Sequence, residues 1–202
     1  MLDEESNSLF RVIAQVLGNP PSNGSGDFKA MISDASEPYS SYAKAISSLD
    51  SASLHSSIEE LASRAEEQNS FESWFELGLL VQSLSFSQDA IGYYQQSLNI
   101  AEAQEDGNKA ADALDRLGGI YAQAEGWEQA CLCYEQGLWH LQKEQEMQKS
   151  AAILKKLGKA YRMLENHEKA VECSEKALAI ANSSGDLLSA AEVLIDLGEI
   201  HR

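Results

Sequence analysis

The residues best suited to chemistry in this sequence of 202 residues are its histidines, cysteines and carboxylates. His55, His140, His167 and His201 lie in separate segments, without the His-x-x-x-His or Cys-x-x-Cys spacing that brings two metal ligands together locally. No Gly-x-Ser-x-Gly sequence marks a nucleophilic serine. We therefore predict that the protein is not an enzyme and that it holds no metal and no cofactor.

The three cysteines are expected to be buried, reduced thiols. Cys131 and Cys133 are two residues apart on a predicted helix, so their side chains do not face each other. With Cys173 the chain has an odd number of cysteines, so they cannot all be paired in disulfides within it. Reduced cysteines are typical of a cytoplasmic protein. Trp127 and Trp139 are expected to pack between helices.

The charge of the chain limits its partners. Its 32 acidic and 15 basic residues give a net charge of -17, which disfavours a nucleic acid or an anionic membrane as partner. The first five residues are acidic rather than basic, and no apolar run approaches ~18 residues, so we predict a soluble cytoplasmic protein. Ordinary solubility explains the charge better than a dedicated basic partner does.

A repeat of 40 residues organises the second part of the chain. The pair Leu-Gly recurs at 77–78, 117–118, 157–158 and 197–198. Such self-similarity is typical of arrays in which each unit buries its apolar face against its neighbours. The predicted structural positions of the repeat are Trp74, Leu77, Gly78, Ala90, Leu117, Gly118, Tyr121, Ala130, Leu157, Gly158, Tyr161 and Ala170.

Each repeat is predicted to be a helix-turn-helix, because apolar residues follow three-and-four spacing on two successive stretches. The small residues Gly78, Gly118 and Gly158 would let the two helices approach closely. Ala124-Glu125-Gly126 supplies one of the turns. The predicted units are 71–110, 111–150, 151–190 and the half-repeat 191–202, which together form an array at 71–202.

Three segments precede the array. Residues 3–17 read as an amphipathic helix, and the Pro/Gly/Ser-rich residues that follow read as a flexible linker, so that 1–38 form one region. Residues 39–70 read as a helical pair, either a degenerate repeat or a cap. The first helix is expected to pack or fray, or else to lie in the groove as a pseudo-ligand.

The motif Leu114-x-x-Leu117-Gly118-x-x-Tyr121, followed by Ala130-x-x-x-Tyr134, resembles the tetratricopeptide repeat. The resemblance implies an all-α fold, a right-handed superhelical solenoid of antiparallel helix pairs. The 40-residue period is longer than the usual ~34, so the chain looks more like Leu-Gly-Asn-repeat adaptors, kinesin light chains and bacterial signalling arrays. Those relatives mostly bind peptides or helices of other proteins.

In that family the first helix of each unit lines a concave groove. Carried onto this sequence, the resemblance predicts a partner-binding groove formed by Phe75, Leu79, Asp112, Asp115, Arg116, Gln123, Lys155, Lys156, Lys159 and Arg162. The last four residues form a basic stripe that would attract an acidic segment of a partner. The alternative is that these cations merely solvate an exposed helix face, with a few of them paired to Glu165, Glu168 or Glu192. Phe75 and Leu79 are more simply explained as core residues packed on the 53–68 helix.

The resulting hypothesis is a protein-protein interaction scaffold that binds a partner peptide or helix in its groove. One alternative is a regulatory or sensor domain of a larger signalling protein. Another is a structural module that self-associates through the half-repeat, where Leu194, Ile195 and Leu197 lack a second helix to cover them.

Overall fold

Turn residues spaced about 20 positions apart set the helix boundaries in this protein. The computed structural model describes residues 51–83 and 86–200, and every regular element within them is an α-helix. The helices are α1 (Ser51–Gln68), α2 (Phe71–Ser83), α3 (Ser87–Ala103), α4 (Gly107–Gln123), α5 (Trp127–Glu144), α6 (Met147–Met163), α7 (His167–Ser184) and α8 (Leu187–Ile200). The predicted all-α helical repeat fold is confirmed. The predictions for residues 3–17, for the linker after them and for 39–50 lie outside the described residues.

A single left-handed residue ends each helix from α3 to α7. These residues are Glu105, Glu125, Gln145, Glu165 and Gly185, with φ between 54° and 74°. The next residue then donates its backbone N–H to the carbonyl five positions back, as Gly126 does to Tyr121 at 2.8 Å. This arrangement satisfies carbonyls that the helix end leaves unpaired. The same tight turn therefore serves within and between repeats.

The helices repeat with the period of the sequence. Helices α3, α5 and α7 begin at 87, 127 and 167, and α4, α6 and α8 begin at 107, 147 and 187. Helices α4, α6 and α8 are the first helices of their repeats. Each begins four residues before the repeat boundary that was predicted from the Leu-Gly pairs. The earlier start of α4 is explained by the Asp106 carboxylate, which accepts a hydrogen bond from the Lys109 backbone N–H at 3.0 Å and so caps the helix.

The chain divides into two compact units, Met1–Ser97 and Leu98–Arg202, which are described separately. In the first, the Tyr94 ring lies on Gly78, where an added Cβ would be 2.7 Å from Tyr94 Cε1. The Tyr94 hydroxyl donates to Gln82 Oε1 at 2.8 Å. A glycine is therefore needed where α2 and α3 meet, because any larger residue would overlap the ring.

The second unit contains two complete repeats and α8. An added Cβ on Gly118 would be 2.5 Å from Tyr134 Cε1, so α4 and α5 pack as α2 and α3 do. The third repeat is looser, because Ser174 stands where Tyr134 stands one repeat earlier, and the nearest atom to a Cβ on Gly158 is 3.3 Å away. The core of this unit includes Leu114, Leu117, Ala130, Leu141, Ile153, Leu154, Leu157, Tyr161, Ala170 and Val193.

Candidate functional site

Helix α6 carries the basic stripe predicted from the sequence. Its 17 residues include five cations and no acid, in a chain that is acidic overall. The cations are Lys149, Lys155, Lys156, Lys159 and Arg162. Five of the 15 basic residues of the chain are therefore concentrated on α6, the first helix of its repeat.

Three of these lysines form ion pairs with neighbouring first helices. Lys156 Nζ lies 2.7 and 2.6 Å from the two carboxylate oxygens of Asp115 on α4. Lys149 makes the same two-oxygen contact with Asp112, at 2.9 and 3.0 Å. On the other side of α6, Lys155 donates to Glu192 of α8. Adjacent first helices are thus joined by cross-helix charge pairs, and Asp112, Asp115, Lys155 and Lys156 already have partners.

Two predicted groove cations lack such partners among the residues that the structure describes. Lys159 and Arg116 are exposed, and neither forms an ion pair with any residue that the structure describes. A Cβ added to Gly119 on α4 would have nothing within 4 Å, so there is open space near Arg116. Gln123 is exposed and Arg162 is half-buried. Lys159 and Arg116 are accordingly the cations most accessible to an acidic partner.

Phe75 belongs to an aromatic cluster in the first unit. Its ring stacks on Phe71 with centroids 5.1 Å apart and tilts against Tyr94 at 5.4 Å. Phe75 and Leu79 are both half-buried. Much of the Phe75 ring is therefore used in packing between α2 and α3.

A cavity of about 690 Å³ lies between the second helices α5 and α7, with α6 as its floor. Its lining is mainly apolar and includes Leu138, Leu141, Leu154, Leu157 and Ile180. None of the predicted groove residues lines it. The repeat pattern does not distinguish these lining residues from their equivalents in other repeats, so sequence reasoning did not indicate the cavity.

A hydrogen-bonded group ties the three helices together beside this cavity. The Tyr161 hydroxyl donates to Glu135 Oε1 and accepts from Lys169 Nζ at 3.1 Å. Lys169 also lies 4.7 Å from the centroid of the Tyr161 ring. Burial, and then the hydrogen bond to Glu135, raise the pKa of Tyr161, so its hydroxyl stays protonated and bound.

The cysteines are placed largely as expected. Cys131 and Cys173 are buried, Cys133 is half-buried, and none forms a disulfide. Burial raises the pKa of each thiol to about 11, which keeps them in the poorly nucleophilic thiol form. Among the tryptophans, Trp127 packs against the core as predicted. The prediction for Trp139 is wrong, because its side chain is 62% exposed.

Within the described residues, histidines, cysteines and carboxylates do not gather in groups of three that could hold a metal ion. In the same part of the chain, every helix is too short or too polar to cross a membrane.

Residues 149–202 match the family model of the tetratricopeptide repeat. No curated protein matches the sequence. Among solved structures, BtubC from P. vanneervenii has 18% identity and a TM-score of 0.64, covering 98% of this chain and 84% of that chain. The putative kinesin light chain TPR-like repeats of Podosopora anserina have 15% identity and a TM-score of 0.66, covering 98% and 87%.

A third similar structure is the Rap protein complexed with competence and sporulation factor. It has 17% identity and a TM-score of 0.57, over 97% of this chain and 58% of that chain. At these identities the likeness concerns the fold.

Proposed function

We propose that the chain is a non-enzymatic scaffold that binds a peptide or helix of another protein along its first helices, because residues 149–202 match the family model of the tetratricopeptide repeat. The surface offered is the predicted groove, with the basic stripe on α6 taking an acidic portion of the partner. The structure of the Rap protein, which has this fold and is complexed with a factor, supports a binding role.

The segregation of charge on α6 carries this proposal. A helix with five cations and no acid creates a local positive field that attracts carboxylates in a chain that is otherwise negative. Lys155 and Lys156 already neutralise Glu192 and Asp115. Lys159, which has no such partner among the described residues, is therefore the cation that an incoming carboxylate would reach first.

A binding measurement with a defined acidic probe tests the proposal. The probe is a fluorescein-labelled peptide in which glutamate alternates with leucine, followed by fluorescence polarisation. We expect Lys159→Glu to weaken binding several-fold, with a loss that shrinks at high salt because exposed charges are screened. Lys143→Glu, which reverses an exposed lysine on α5, is the matched control. Equal affinities of the two variants would show that the stripe does not bind the probe.

A self-assembling module remains the second proposal, because α8 exposes an apolar face. Leu194 is 56% exposed, whereas its repeat equivalents Leu114 and Leu154 are 2% and 7% exposed. Leu188 and Ile195 are exposed on the same helix. Exposed patches of this kind often mark interaction sites. If light scattering shows a concentration-dependent rise in mass that Leu194→Glu abolishes, the array associates through α8, and a constant monomer mass counts against it.

A further inference from the structure

Two exposed apolar residues of α8 lie on the surface where the first helices are joined by ion pairs. Leu188 and Ile195 stand four residues before and three residues after Glu192, so the three side chains share one stripe of α8. Glu192 accepts a hydrogen bond from Lys155 of α6, which places this stripe beside the basic stripe. Leu188 is 72% and Ile195 64% exposed. The surface proposed for a partner therefore continues onto α8 as an apolar surface.

The register of the repeat separates these two residues from Leu194. Their equivalents one repeat earlier are Gln148 and Lys155, which stay exposed or half-buried although α7 packs on α6. Leu194 corresponds instead to Leu154, which is buried. The exposure of the two apolar residues is therefore a property of the groove positions and does not depend on whether another helix covers α8.

The first helices of the second unit differ in chemistry at one repeat position. Where α8 has Ile195, α4 has Asp115 and α6 has Lys155, and both of these charged residues are already in ion pairs. An isoleucine at this position can form no ion pair, and only burial against apolar atoms would remove it from water. The α8 part of the groove therefore favours an apolar side chain of the partner.

The exposed cation Lys159 lies close to this apolar surface. Lys159 is four residues after Lys155 on α6, and Ile195 is three residues after Glu192 on α8. Helices α6 and α8 run in the same direction, because the chain reverses once before α7 and once after it. Both residues therefore lie about one helical turn, ~5 Å, beyond the Lys155–Glu192 ion pair. A segment that crosses from α6 to α8 would contact a cation and then an apolar surface.

We propose that the groove selects an acidic segment of another protein that carries large apolar side chains beside its carboxylates. A carboxylate of this segment would contact Lys159, and its apolar side chains would pack on Leu188 and Ile195. This inference rests on the proposed function, because it concerns the same groove, and it adds the chemical class of the partner. Charge alone would attract any acidic segment, whereas the apolar surface of α8 discriminates among them.

Two fluorescein-labelled peptides of equal length and charge test the inference by fluorescence polarisation. In one, glutamate alternates with leucine, and in the other serine replaces every leucine. We expect the leucine peptide to bind about tenfold more tightly, because it covers apolar surface on α8 that the serine peptide leaves in water. Lys159→Glu should weaken the binding of both peptides, since they carry the same charge.

The double variant Leu188→Gln, Ile195→Gln removes the apolar surface and changes no charge. Both side chains are exposed and glutamine is a good helix former, so the variant should fold. It should reduce the preference for the leucine peptide from about tenfold to about twofold or less, and it should leave binding of the serine peptide unchanged. Leu132→Gln, at a leucine on α5 that is 59% exposed, is the matched control and should keep the preference.

Methyl NMR spectra of the unaltered protein give a second measurement that needs no substitution. The leucine peptide should shift the Ile195 signals, whereas the serine peptide should not. Neither peptide should shift the signals of Ile153, which is buried in the core.

The possible failures of the inference and of the proposed function can be told apart. Equal binding of the two peptides, or a preference that survives the double variant, would overturn the inference, while weaker binding by Lys159→Glu would still support the proposed function. Binding of neither peptide, or binding that Lys159→Glu leaves unchanged, would contradict both. A dimer in light scattering that the double variant disperses would also overturn the inference, since a second copy of this chain would then cover α8.

Discussion

Lys156 on α6 holds both carboxylate oxygens of Asp115 on α4, at 2.7 and 2.6 Å, although the two residues are 41 positions apart in the sequence. The contact joins two adjacent first helices across the surface where a partner is proposed to bind. An acidic ligand could use Lys156 only by displacing Asp115, which is why Lys159 is the better first target.

The Lys156–Asp115 pair should contribute little to stability. Both side chains are partly exposed, and exposed ion pairs typically contribute about 0.2–1 kcal/mol. A double-mutant cycle with Lys156→Ala and Asp115→Ala, measured by urea unfolding, should give a coupling in this range that disappears at about 1 M salt. A coupling that persists at high salt would mean that the pair is shielded from solvent.

Gly118 and its neighbour Gly119 should respond oppositely to alanine. A Cβ on Gly118 would overlap the Tyr134 ring at 2.5 Å, whereas one on Gly119 has nothing within 4 Å. Gly118→Ala should lower the free energy of unfolding by about 1–3 kcal/mol through overpacking. Gly119→Ala should raise it by about 0.5–1 kcal/mol, because alanine is the better helix former. Urea unfolding of both variants checks the prediction, and equal effects would contradict the close approach of α4 and α5.

The left-handed turn residues should also respond with opposite signs. Gly185 adopts φ of 74°, so Gly185→Ala should cost about 1 kcal/mol. Glu165 adopts φ of 58° with a side chain that disfavours it, so Glu165→Gly should stabilise the protein by up to about 1 kcal/mol. Thermal and urea unfolding would contradict this account if both variants shifted stability in the same direction.

The buried thiols should make the fold less stable in alkali. The pKa of Cys131 and of Cys173 is about 11 in the folded chain, against an ordinary value of 9.0. The folded state therefore keeps protons that the unfolded state loses, so stability is intact below pH 9 and falls as pH rises towards 11. The slope of unfolding free energy against pH between 8 and 10 should be shallower in the Cys131→Ala, Cys173→Ala variant. An unchanged slope would mean that groups other than these two thiols cause the loss of stability in alkali.

The helical repeat could be predicted from the sequence because it depends on local rules. Leu-Gly pairs 40 residues apart and apolar spacing of three and four fix which face of each helix is buried. The sequence predicted a close approach of two helices at Gly118, and the structure places the Tyr134 ring of the next helix against it. The residue types of α6 are likewise sufficient to indicate a positively charged helix.

Tertiary structure alone decided which of those charges are free. A lysine side chain can reach any carboxylate within several ångströms on a neighbouring helix, and residue spacing along the helix does not say which carboxylate it will contact. In the structure Lys155 pairs with Glu192, whereas Lys159 remains exposed. The cavity beside Ala179 likewise depends on how far α5 and α7 stand apart over α6. The sequence by itself determined the repeat and the sign of its charged helix, and the packing of helices distant in sequence determined the surfaces available to a partner.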